Sequence, residues 1–170
     1  MARLLMTVPF DTGGNIGKEY NSIMQNTTHE WVGFADHDVF FANPKWYEMF
    51  CHGIDNLPGA GLISCKTNRI GCPLQKAGAK KTDDINYHRQ RAEELYREFW
   101  NEADDVSESR FSPSALVFIT SRRAWMKVGG FRENGMLGVD TNYAGKLKAA
   151  EYKIFLLKGL YVYHWYRGTK

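Results

Sequence analysis

The chain lacks what would mark a secreted, membrane-spanning or nucleic-acid-binding protein. Its 170 residues contain three cysteines, Cys51, Cys65 and Cys72. An odd number, at spacings that match neither CxxC nor a zinc ribbon, argues against a disulfide framework and predicts reduced thiols used in packing. No apolar run approaches the roughly 18 residues of a membrane span, and MARLLMTVPF is too short a run for a signal peptide. The net charge of +3 gives no nucleic-acid signal, although it would help a pocket that receives a polyanionic nucleotide. Neither a GxGxxG nor a Walker sequence occurs, and there is no internal repeat or linker. These absences predict one soluble, cytoplasmic domain over residues 1–170. With 44% hydrophobic and 14% aromatic residues, it is long enough to bury a core.

What is present reads as alternating strands and helices. RLLMTVPF (3–10) is a nearly continuous apolar run, the pattern of a strand buried on both faces and stopped by Pro9. DTGGN (11–15) is turn chemistry, and Asn15 can cap a helix over 16–26 in which Ile16, Tyr20, Ile23 and Met24 recur at helical spacing. A strand, glycine turn and helix can offer backbone N–H groups to a phosphate, or can simply be a tight turn. Further strands are expected at 31–34, 61–67, 114–121, 152–157 and 160–166, the last two joined by a Lys158-Gly159 turn. Helices are expected from Asn43-Pro44, over 85–105 as a charged surface helix, over 122–128 before Gly129-Gly130, and from Thr141 with Asp140 as its cap. The pattern predicts an α/β fold with a mostly parallel sheet flanked by helices.

Chemistry concentrates at EWVGFADHDVFF (30–41). A strand-forming run ends on two carboxylates and returns at once to apolar residues. If strand geometry persists, Asp36 and Asp38 point the same way and His37 points elsewhere. Two close carboxylates repel, and a divalent cation relieves that repulsion; a solvated strand end fits the triplet alone equally well. Arg69 in NRIGCPLQ suits a phosphate or a sugar hydroxyl, or plain solvation. Asp140 can be a base or only a helix cap, and His164 a ligand or a hydrogen-bonded core residue.

Taken together, NIGKEYN (15–21), WVGFADHDVFF (31–41), KTNRIGCP (66–73), WMKVGGF (125–131), GMLGVD (135–140) and YVYHWYRG (161–168) resemble the glycosyltransferases of the GT-A fold, close to family 2 and to its short phage and bacterial versions. The resemblance spans nearly the whole chain. It implies a Rossmann-like single domain that moves a sugar from a nucleotide-diphosphate-sugar to an acceptor hydroxyl, in the cytoplasm, the host's if the source is viral. It also implies that Asp38 binds the metal directly, that Asp36 reaches the ribose or a metal-bound water, and that His164 completes the shell. Histidine suits Mn²⁺ better than Mg²⁺, so Mn²⁺ becomes the expected ion. Asp140 matches the family's base for an inverting transfer, although Val139 stands where the family usually has a glutamate. Pro9, Phe10 and Asp11 match the segment on the base and ribose, with Asn15 and Tyr20 nearby. Gly129, Gly130 and Phe131 match the turn shaping the donor-sugar pocket, and Tyr166 and Arg167 the tail closing on the diphosphate.

One departure is large. Only DTGGNIGKEYNSIMQNTTH separates the first strand from the metal strand, so the nucleotide-binding half is truncated and UDP cannot be told from GDP. The sugar and the acceptor, whether glycan, protein or other, are equally open. A nucleotidyltransferase on the same fold, or a degenerate sugar- or nucleotide-binding module without catalysis, would carry many of the same residues.

Overall fold

One sheet organises the chain, and the computed structural model describes residues 3–165. Its strands are β1 (Leu4–Thr7), β2 (Trp31–Ala35), β3 (Val39–Phe41), β4 (Ala60–Thr67), β5 (Ala103–Asp105), β6 (Val117–Ser121) and β7 (Lys153–His164). The helices are α1 (Ile16–Asn26), α2 (Trp46–Asn56), α3 (Ile85–Phe99), α4 (Arg122–Lys127) and α5 (Val139–Ala149). Across the sheet the order is β1-β2-β6-β4-β7-β3, with β5 also pairing to β7. Among the described residues, no helix is long and apolar enough to cross a membrane.

Side-chain alternation divides the core into two layers. From the central strands, Trp31, Ile63, Cys65, Val117, Ile119, Phe155 and Leu157 face α2, where Met49, Phe50 and Ile54 meet them. Val32, Phe34, Leu62, Phe118, Ile154 and Leu156 face the opposite side, against Tyr20 and Met24 of α1 and Tyr143, Ala144 and Leu147 of α5. Period-two alternation with both faces covered explains why these strands read as unbroken apolar runs. Each fully buried large side chain, Phe34 and Phe50 among them, contributes about 2–3 kcal/mol through burial. The expected α/β architecture with helices on both faces is present.

Direction within the sheet places the site. β1 and β2 pair in parallel, as do β4 and β7. β6 lies antiparallel between β2 and β4, so β1, β2, β4 and β7 all run the same way and end at one edge. β3 and β5 run against β7. Ligands of open α/β sheets sit outside such carboxyl ends.

Several local expectations are corrected. β7 is one continuous strand, without the turn expected at Lys158-Gly159. Its register with β4 jumps from Cys65↔Leu157 to Lys66↔Tyr161, so the intervening residues bulge instead of reversing. Gly159 serves close approach, since a Cβ there would stand 2.7 Å from the Phe99 carbonyl oxygen at the end of α3. α3 stops at Phe99, and Ala103–Asp105 is strand β5. Its buried face is His88, Ala92 and Leu95, and His88 is fully satisfied, hydrogen-bonded to the Tyr161 hydroxyl and the Thr82 carbonyl. The helix therefore covers β7 and is more than a surface feature.

Candidate functional site

The carboxyl edge gathers the chemistry. β2 ends at Ala35, where the Asp36 N–H donates to the Leu116 carbonyl at 2.8 Å. Val39 N–H then donates to the Asp36 carbonyl at 3.4 Å, closing a turn over Asp36, His37 and Asp38. The turn carries the chain from β2 to β3 on the far side of β7. Convergence of the two acids thus comes from a turn, not from continued strand geometry. One ligand atom each from Asp36, Asp38 and His164 lie within 4.8 Å of one another.

His164 is held for this position. Its residue pairs with Val39 across β3 and β7, and the following Trp165 N–H donates to the Asp38 carbonyl at 2.8 Å. Asn68, just past β4, grips the His164 backbone on both sides: its Oδ1 accepts from the His164 N–H at 2.8 Å and its Nδ2 donates to the carbonyl at 3.2 Å. The imidazole Nδ1 lies 2.8 Å from the Arg69 carbonyl. A carbonyl only accepts, so Nδ1 carries a proton, and Nε2 lies 3.4 Å from Asp38 Oδ2. In neutral imidazole that leaves an Nε2 lone pair toward a carboxylate, an arrangement eased by a proton or a cation between them. A backbone carbonyl fixing the remote nitrogen is a common support of histidine metal ligands. Two carboxylates and an imidazole are a donor set that could hold a metal ion.

Electrostatics agree with crowding of negative charge. Asp36 is solvent-accessible, yet protein surrounds its inner side, and the loss of water there is the first cause that pushes its carboxyl up to about 6. The Asp38 charge adds to the rise, His164 and His37 oppose it, and Asp140 contributes a smaller increase. In the metal-free protein the sign follows from linkage. Between about pH 4 and about 6 the folded state holds a proton that the unfolded chain has released, so this group makes stability fall as pH rises through that window. Replacing Asp36 with Asn removes that term. Because Asp36 is exposed, the gain is discounted for screening to about 1 kcal/mol or less, about 2–4 °C in melting temperature. Thermal melts from pH 4 to 8 without metal check this: the variant is expected to melt higher at pH 8, with the difference shrinking as pH falls toward 4. Equal melting temperatures at pH 8 would contradict it.

A cleft of 890 Å³ joins these groups to the rest of the edge. Asp36, Asp38 and His164 line it together with Pro9, Phe10 and Asp11 beyond β1, Tyr20 of α1, and Asp140 of α5. Phe10 is 81% exposed at its rim and Leu137 86%. The Asp11 carboxylate accepts from the N–H groups of Gly13 and Asn15, so it organises the turn beneath the cleft. Tyr20 is buried, its ring 4.5 Å from that of Phe34, and burial with the charges of Asp36 and Asp140 pushes its hydroxyl up.

Asp140 is not the cap of α5. Gly138 takes that place with φ 71°, and Asp140 lies in the first turn. Its Oδ2 accepts from Ala115 N–H at 3.1 Å and its Oδ1 from Thr141 N–H at 2.7 Å. These bonds tie the start of α5 to the segment that leads into β6 and fix the carboxylate at the cleft wall.

Other expected site residues fall elsewhere. Asn15 caps α1, accepting from Lys18 N–H at 3.2 Å and donating to the Glu133 carbonyl at 2.8 Å, and is outside the cleft lining. Gly129 and Gly130 terminate α4, with φ 72° and 71°. Phe131 is core, its ring 4.0 Å from Tyr143 and 5.0 Å from Tyr20. None of these three is in the cleft lining, and Phe131 packs behind Tyr20. Arg69 lines an adjoining pocket of 310 Å³ with Ile70, Gly71 and His164. Tyr166 and Arg167 lie outside the described residues. Sequence reasoning missed the Asn68 clamp, the Arg69 carbonyl, and the place of Ser114, Ala115 and Leu116 in the cleft wall. None had a side-chain pattern to betray it.

Comparison with protein-family models gives no match to this chain, and comparison with curated proteins gives none either.

Proposed function

We propose that the chain is a metal-dependent glycosyltransferase that moves a sugar from a nucleotide-diphosphate-sugar to an acceptor hydroxyl, with inversion. The observation that carries the reading is the gathering of an Asp-Asp-His cluster, the loop after β1 and an anchored Asp140 on one cleft at the carboxyl edge of the sheet. Asp36, Asp38 and His164 would hold a divalent ion, Mn²⁺ in preference to Mg²⁺, and when bound that ion would neutralise charge on a leaving diphosphate. Val8, Pro9, Phe10 and Asp11 would flank the nucleotide, with Phe10 offering an exposed ring to a base. Asp140 would accept the proton of the acceptor hydroxyl as that oxygen bonds to the anomeric carbon and the bond to the diphosphate breaks. β1 is the outer strand of the sheet, so the base would be held mainly from one side.

The test is a panel of UDP- and GDP-linked sugars incubated with Mn²⁺, Mg²⁺ or EDTA, following release of nucleoside diphosphate. At least one donor is expected to be bound and slowly hydrolysed with metal and not with EDTA. Absence of binding and turnover for every donor would overturn the reading. Pyrophosphate formed from a nucleoside triphosphate and a sugar phosphate would instead assign nucleotidyl transfer.

A further inference from the structure

A second cavity, of 410 Å³, opens on the other side of Asp38. Asp38 and His37 belong to the lining of both cavities, so the turn after β2 is the ridge between them. The size falls within the range of small-molecule pockets. Aromatic groups form much of its wall: Phe40, Tyr163, and Trp165, which is 46% exposed. Tyr163 is braced. His88 stacks on Tyr163 with centroids 4.1 Å apart, and the Tyr163 hydroxyl donates to Asp83 Oδ1 at 2.6 Å. The remaining capacity of the exposed Asp83 carboxylate is acceptor capacity, which hydroxyl groups satisfy.

Charge selects the occupant. Among the described residues that line this cavity, Asp38 and Asp83 are carboxylates and none is Lys or Arg. A phosphate or nucleotide would meet like charge from both carboxylates, and the Arg89 guanidinium, 5.8 Å from the Phe40 ring centroid, already sits against one aromatic wall. A purely apolar ligand would bury Asp83 and His37 without hydrogen bonds, at a cost. A neutral saccharide avoids both penalties. Its ring carries C–H groups on its faces, suited to aromatic side chains, and hydroxyls at its rim, suited to a carboxylate and an imidazole.

We infer that this cavity is the acceptor subsite and that it takes a sugar ring, packed against Trp165 and Phe40 and hydrogen-bonded to Asp83. The inference rests on the transferase reading above and narrows it: the acceptor is a glycan, one ring of which sits here while the neighbouring unit carries its hydroxyl over the His37–Asp38 ridge to Asp140 in the donor cleft. His37, expected from sequence to point away from the two acids, then faces both substrates.

Saturation-transfer NMR tests this with the methyl glycosides of glucose, galactose, mannose, rhamnose and N-acetylglucosamine, each added to the full chain without donor. At least one glycoside is expected to give ring-proton signals, and both Trp165→Ala and Asp83→Ala, at exposed positions, are expected to reduce them about fivefold or more. No signal from any glycoside, or a signal undiminished in either variant, overturns the subsite. Binding of UDP and GDP with Mn²⁺ is measured on the same samples. Nucleotide binding without glycoside binding removes the subsite and leaves the transferase reading intact. Glycoside binding that meets the variant test, without nucleotide binding under any metal, keeps a saccharide site and removes the transferase.

Discussion

Asp38→Ala is expected to weaken Mn²⁺ binding by roughly 100-fold or more, and to abolish the metal-dependent part of nucleotide binding with it. Asp38 is the acid tied directly to His164 and to the residue after it. Its backbone carbonyl accepts from Trp165 N–H, and its Oδ2 lies 3.4 Å from His164 Nε2. Removing the carboxylate leaves Asp36 and a buried imidazole, too few ligands for a hard or borderline cation to exchange its waters for. The fold should persist, because the lost group is partly exposed and its removal relieves repulsion with Asp36. That relief supplies an internal check. Asp38 is the second cause of the raised Asp36 carboxyl, so in the variant Asp36 should titrate below about 6, measurable by carboxyl-carbon NMR. Titration calorimetry with MnCl₂ reads the main effect, and unchanged Mn²⁺ affinity would remove the cluster from consideration as a metal site. His37→Ala is the control: His37 is not in the cluster and should leave metal affinity within about twofold.

How far the chain could be read without coordinates depended on whether a feature is local. α1 was legible to its ends, because Asn15 and the spacing of Tyr20 and Met24 are local signals and the helix runs over Ile16–Asn26 as they require. The Asp36, Asp38 and His164 cluster was legible as residue types, although the turn that brings the acids together was not. Direction of a buried strand was invisible: β6 is covered on both faces and reads the same whether its neighbours are parallel or antiparallel. Lys158-Gly159 looked like a turn because glycine marks turns, whereas Gly159 answers a tertiary demand from the end of α3. Three-residue β3 was hidden for a similar reason, since its partner lies far along the chain in β7. The Gly-Gly-Phe segment shows the converse: Phe131 is apolar and adjacent to a glycine turn, which suits a pocket wall and a core position equally, and only packing on Tyr143 decides for the core.

The largest catalytic effect is expected at Asp140. Asp140→Asn should keep metal and donor binding and lose transfer by about 10²–10⁴-fold, the usual worth of a general base. Asparagine preserves shape, so one of the two backbone donors, Ala115 N–H or Thr141 N–H, retains its acceptor while the other loses it. That loss should lower stability by about 1 kcal/mol, about 2–4 °C in melting temperature, without dissolving α5. The distinction between a base and a mere strut lies in which kinetic constant moves. A strut that only positions the start of α5 would, when weakened, shift donor KM and stability together and leave turnover within a few-fold. A base acts only in the transition state, so its loss lowers kcat and kcat/KM equally with donor KM unchanged. Gly138 and not Asp140 occupies the cap, yet Asp140 still accepts from Thr141 N–H in the first turn, where the helix dipole favours a carboxylate, so the kinetic split and not the position separates the two roles. Full transfer by Asp140→Asn would place the base elsewhere on the cleft wall, and Asp36, raised to about 6 and facing the same cavity, would be the next carboxylate to replace.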